Sequence, residues 1–141
     1  MQTERRIQYP TLAELIATNR SVTSLSGDPF AILHPDTLDY LVDALPYRYN
    51  LPGFRDAMIL KAAFLLDMLA NRGHIFLEGN KRTALSATVS FLDVNGFLLQ
   101  ATDVDRLGVV LSVARGEKSL KQIAAWLEQR IKAIPSNNDL I

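Results

Sequence analysis

The segment His74-Ile75-Phe76-Leu77-Glu78-Gly79-Asn80-Lys81-Arg82-Thr83 lies between two stretches that both read as helix, and its place between them organises the whole chain. On its N-terminal side, Phe54 to Arg72 is apolar almost all round, with Ala57, Met58, Leu60, Ala62, Phe64, Leu65 and Leu69. A helix of that kind is buried on most sides, so this stretch is expected to be central, with Gly73 ending it in the C′ position. On the other side a helix is expected from about Lys81 to Asn95, stopped at Asn95-Gly96. Residues 74–80 are then a tight loop running into a helix N-terminus. Such a terminus receives anions, because its first N–H groups lack intrahelical partners and the macrodipole adds partial positive charge.

The residue types in the loop suit that role. Gly79 would let the backbone approach a ligand closely, and Asn80 is a favourable N-cap. Lys81 and Arg82 fall in the first helical turn, where the macrodipole favours acids and two cations are locally unfavourable. Such conflicts with local rules concentrate where function demands them, and an anion of several charges would resolve this one. Glu78 is a hard oxygen donor of the kind that holds magnesium together with substrate phosphates. His74 can serve as general base toward a hydroxyl, because imidazole exchanges its proton near neutral pH. Phe76 is expected to be a buried anchor for the loop, its burial fixing the positions of His74 and Glu78. Alone, each of these residues is ordinary; together, within the nine positions from His74 to Arg82, they are specific.

Outside this segment the chain is read as all-α, a mainly helical fold with one small β-hairpin. Pro10 to Arg20 suits an amphipathic helix through Leu12, Leu15 and Ile16. Ser21 to His34 contains two β-prone pieces around Ser-Gly-Asp-Pro and is expected to form the hairpin. Pro35 opens a helix carrying Leu38, Leu41, Val42 and Leu45 and stopped by Pro46. Two more helices are expected, Val104 to Ala114 and Ser119 to Ala133, with Phe97-Leu98-Leu99 as a brief strand or a buried connection. Gly116-Glu-Lys-Ser119 lacks the Gly-Lys adjacency of a phosphate loop and reads as a helix stop followed by a Ser N-cap. A single domain over residues 1–134 is expected, with 135–141 a frayed tail.

Composition narrows the function classes. Lys and Arg number 15 and Asp and Glu 15, so no global field draws the chain to nucleic acid or to an anionic membrane. There is no cysteine, and His34 and His74 are the only histidines, which argues against zinc. No apolar run suits a secretory signal or a membrane span, so a cytoplasmic protein is expected.

The motif segment resembles the Fic motif, His-x-Phe-x-[Asp/Glu]-Gly-Asn-x-Arg, at every specified position, and the similarity extends to the helices around it, over Thr11 to Arg130. The resemblance implies a Fic/Doc transferase in which His74 takes the proton of a target hydroxyl and Glu78 holds Mg2+. Gly79, Asn80 and Arg82 would cradle the phosphates of ATP, with Lys81 and Arg72 beside them. Members that attach AMP carry Gly where this chain has Lys81 and a second Arg where it has Leu85. The Asn80-Lys81-Arg82 triplet, with Arg72-Gly73-His74 and Thr83-Ala84-Leu85, is instead similar to the Doc, or death-on-curing, toxins, although Gly79 is more Fic-like. Doc-like proteins are kinases that place the terminal phosphate of ATP on a translation elongation factor and so stop growth. The chain lacks the [Ser/Thr]-x-x-x-Glu-[Gly/Asn] inhibitory pattern, so an antitoxin supplied in trans is implied. By the same resemblance Ser21 to His34 is the flap that grips the target. The competing readings are AMP transfer by a Fic-type enzyme and a helical binding or regulatory domain without catalysis.

Overall fold

A computed structural model describes residues 6–135, so the expectation for the tail from 136 onward falls outside the described residues. Six helices and one pair of short strands make up this part of the chain. Helix α1 spans Leu12–Ser26 and starts at a reciprocal capping box, in which the Thr11 hydroxyl accepts from Glu14 N–H at 3.1 Å while the Glu14 carboxylate accepts from Thr11 N–H at 3.2 Å. It ends at Gly27, whose φ of 73° is the left-handed C-terminal conformation that glycine adopts without strain.

The hairpin expected over Ser21 to His34 does not form, because α1 continues six residues past Arg20 to Ser26. Tertiary contact overrides the β preference of Val22 and Thr23. The Asn19–Thr23 side of α1 packs on the following motif helix, and the Thr23 hydroxyl satisfies itself on the Asn19 carbonyl at 2.8 Å. Only the short run around Ile32 stays extended, and it pairs with the motif loop instead of with its own neighbour: Ile32 bridges Phe76, and Leu77 N–H donates to the Ala31 carbonyl at 3.0 Å.

Helix α2, Pro35–Ala44, runs into a 3-10 turn over Leu45–Tyr47. The central helix α3, Phe54–Asp67, has ten buried residues in fourteen, as its all-round apolar pattern requires. One of them is Lys61, fully buried, whose ammonium donates to the carbonyls of Leu45 at 3.0 Å, Pro46 at 3.4 Å and Arg48 at 2.6 Å. The apolar stem fills the core while the charge caps the end of the α2 region, so the helix pattern tolerates it.

Helix α4, Asn80–Val94, lies against α3 and α1. Strand β1, Phe97–Leu99, follows, then α5, Asp103–Ala114, and α6, Leu120–Glu128, which also packs on α3. Ser119 caps α6 with Gln122 in a second capping box, the role its sequence context suggested. The last helix stops at Glu128, short of Ala133, because Ile131–Ala133 forms strand β2 antiparallel to β1, with Leu99 opposite Ile131. Both of those side chains are buried, and the pairing satisfies backbone groups that would otherwise be covered without partners. Among the described residues no helix is long and apolar enough to cross a membrane.

Candidate active site

The loop from α3 to α4 is shaped by an unusual helix end. The helical run stops at Gly73 as expected, but through a π-helical turn over Met68–Arg72 that follows α3, closed by Gly73 N–H on the Met68 carbonyl at 2.8 Å. Gly73 is required for a reason other than a left-handed cap. Its φ of −81° is ordinary, but a Cβ there would sit 2.6 Å from the Met68 carbonyl oxygen and 2.9 Å from Ile75 Cγ1. The left-handed residue is His74, with φ 45°, a conformation sparsely populated by any side-chain-bearing residue.

That backbone reversal changes which side chains the loop buries. His74 is exposed, Ile75 and Phe76 are both buried, and Leu77 and Glu78 are exposed again, so strict alternation does not hold. Phe76 is 1% exposed and packs against Phe30, with ring centroids 6.5 Å apart. The Asn80 side chain closes the loop from below, accepting from Phe76 N–H at 3.1 Å and donating to the Phe76 carbonyl at 2.7 Å. Asn80 is therefore the first residue of α4 and not its N-cap; the cap position is Gly79, in the left-handed region at φ 75°.

No side chain caps α4, so its first-turn N–H groups remain available to an anion. The missing Cβ of Gly79 faces protein: a Cβ would lie 3.0 Å from Val22 Cγ2 and 3.3 Å from Asn19 Nδ2. Glycine is needed here for its φ and for the close packing of α1. The buried Asn19 ties the same turn to α1, donating from Nδ2 to the Glu78 carbonyl at 2.8 Å and to Thr83 Oγ1 at 3.1 Å.

The cations are held differently from one another. Arg72 pairs through Nε with Asp67 at 2.6 Å. Arg82 is gripped by the end of α1: Nη1 donates to the Val22 carbonyl at 2.9 Å and the Ser26 hydroxyl at 2.8 Å, and Nη2 to Asp28 at 3.0 Å. Among the described residues no hydrogen bond from Arg82 Nε is found, so the guanidinium retains donors that an oxyanion can take. The Ser26 hydroxyl bond, and then the Arg82 guanidinium, hold the Asp28 carboxyl below its ordinary range. Lys81 and Glu78 are exposed on the same turn. A cleft of about 440 Å³ flanks it, lined by Lys81, Arg82, Leu85, Asp103, Arg106, Leu107 and Val110 between α4 and α5.

The structure thus gathers His74, Glu78, Gly79, Asn80, Lys81 and Arg82 into one loop and helix turn, with Arg72 one residue before Gly73 and turned to Asp67. Asn19, Ser26, Asp28 and His34 support this loop and were not singled out for it from sequence. Their contacts span 40 to 64 positions, and the Ser-Gly-Asp run gave only a turn signal.

Comparison with known proteins agrees with this geometry. Residues 5–92 match the Fic/DOC family, a span that includes the whole motif. Among curated proteins the chain is 40% identical over 99 residues to Toxin Doc of Mycolicibacterium smegmatis, covering 69% of this chain and 68% of that protein. It is 30% identical over 117 residues to Protein kinase doc of Escherichia phage P1, covering 82% of this chain and 90% of that one. With the motif complete and the family match running over residues 5–92, the chain belongs to the Fic/Doc family.

Proposed function

We propose that this chain is a Doc-like toxin, a protein kinase that moves the terminal phosphate of ATP to a hydroxyl of a target protein and is restrained by an antitoxin. The observation that carries the choice of phosphate over AMP is the pair Lys81 and Leu85. A lysine stands at the helix turn where AMP-transferring relatives keep glycine, and the second arginine of those relatives is replaced by a leucine that lines the neighbouring cleft. The relatives named Toxin Doc and Protein kinase doc support the same reading.

In the proposed reaction His74 takes the proton of the target hydroxyl as its oxygen forms a bond to the terminal phosphorus. The bond from that phosphorus to the bridging oxygen breaks, and ADP leaves with the electron pair. Positioning and charge neutralisation account for most of such catalysis. The remaining donors of Arg82, the Lys81 ammonium and the uncapped N–H groups of α4 neutralise phosphate oxygens, and the apolar wall of Leu85, Leu107 and Val110 suits the nucleoside. The exposed Glu78 carboxylate, for which no hydrogen bond or ion pair is found among the described residues, fits a magnesium ion shared with those phosphates. Bound there, magnesium would supply added neutralisation of the phosphate charge. An elongation factor as target and a cytoplasmic location belong to the same reading.

The test is transfer of label from ATP marked at its terminal phosphate to protein in a bacterial lysate with magnesium. Labelled protein with the wild type and none with His74→Ala is expected; equal labelling by the two removes His74 as base.

A further inference from the structure

His34 lies outside the motif, yet its ring contacts the backbone of the motif's histidine. Its Nδ1 is 2.6 Å from the His74 carbonyl oxygen. A carbonyl only accepts, so in this hydrogen bond His34 Nδ1 is the donor. Two backbone bonds run beside it, from Leu33 N–H at 2.7 Å and His34 N–H at 3.1 Å, both to the Ile75 carbonyl. Residues 33 and 34 thus grip two successive carbonyls directly after the left-handed Cα of His74.

The position of His34 in its own helix adds an independent observation. It is the N-cap of α2, where Ser, Thr, Asp or Asn would normally turn back to bond the first-turn N–H groups, and its side chain makes no such bond. The side chain is turned to His74 instead. A local rule set aside next to a strained residue is the pattern of a functional constraint.

We propose that His34 is a positioning residue: its Nδ1–H holds the His74 carbonyl and thereby sets the direction in which the catalytic imidazole of His74 points. The two backbone bonds to Ile75 could be made by any residue pair, but the bond to His74 needs a side-chain donor at position 34. The proposal rests on the kinase reading for its activity assay, while its structural half can be read without activity.

The experiment compares wild type, His34→Ala and His34→Asn, whose amide nitrogen can replace Nδ1–H. For each, kcat and KM for ATP are measured with the terminal-phosphate label, alongside thermal unfolding. Ring nitrogen shifts of His34 are recorded by NMR on the wild type. Expected are the Nδ1–H form in the wild type, a fall in kcat of about tenfold in His34→Ala at unchanged KM and unfolding temperature, and recovery of most of it in His34→Asn. An Nε2–H ring, an unchanged kcat in His34→Ala, or equal losses in both variants would overturn the proposal. A wild type that shows Nδ1–H but transfers no label overturns the kinase reading and with it the catalytic half of this proposal, leaving the contact itself established.

Discussion

At the scale of single residues, the site separates side chains that act from those that hold. His74 is exposed and its ring makes no hydrogen bond among the described residues. His74→Ala should therefore lower transfer by at least about a hundredfold, the usual loss of a general base, while stability stays within about 0.5 kcal/mol of wild type by urea unfolding. Gly79 behaves oppositely. A Cβ at φ 75° meets Val22 Cγ2 at 3.0 Å, so Gly79→Ala should destabilise by about 1–2 kcal/mol, measured the same way. That His74, Glu78, Gly79 and Arg82 share one loop and helix turn was legible because local chemistry marks them: an imidazole, a hard acid, a glycine, and cations where the helix dipole opposes them. Their supports were not legible. Asn19, Asp28 and His34 act through contacts far along the chain, and nothing in their immediate sequence distinguishes them from surface polar residues.

At the scale of elements, α1 is the part that sequence periodicity misjudged, and it is also the part that holds Arg82. The β-branched Val22 and Thr23 suggested strand, but a helix that buries Asn19 and Thr23 against α4 delivers Ser26 and Asp28 to the guanidinium. Asp28 has its carboxyl held below 3.8, chiefly by the Ser26 hydroxyl and next by Arg82. Its folded value lies below its unfolded one, so its contribution is complete above the unfolded value and is lost as pH falls through the folded value. NMR titration should show the Asp28 carboxyl moving up in Ser26→Ala; an unmoved titration would contradict the grip described. Lys61 fastens the end of the α2 region to α3. Replacing it by Met would take the ammonium from the Leu45, Pro46 and Arg48 carbonyls, of which Leu45 keeps only a 3.4 Å bond from Arg48 N–H, at a cost of about 2–3 kcal/mol in urea unfolding. Burial holds the Lys61 ammonium below 10.5. The folded chain then loses that proton before the unfolded one does, so stability should rise with pH just below 10.5 in the wild type and not in Lys61→Met.

At the scale of the whole molecule, a balanced charge and a helical core deliver a site whose chemistry is local. The central helix, the helix after the motif and the mainly helical class were readable because a strongly apolar run and glycine stops leave few alternatives. The strand pair was only half readable: Phe97–Leu99 was expected as a brief strand or a buried connection, while β2 was absorbed into the preceding helix pattern, since three-residue strands carry no period of their own. The zero net charge accords with a partner recognised by shape and short-range contact, not by a long-range field. The most direct measurement is a pair of parallel incubations of the purified chain with bacterial lysate and magnesium, one with ATP labelled at the terminal phosphate and one with ATP labelled in the adenosine. Label on protein from the terminal phosphate alone is the predicted result. Adenosine label on protein would show AMP transfer despite Lys81 and Leu85, and would contradict the kinase assignment.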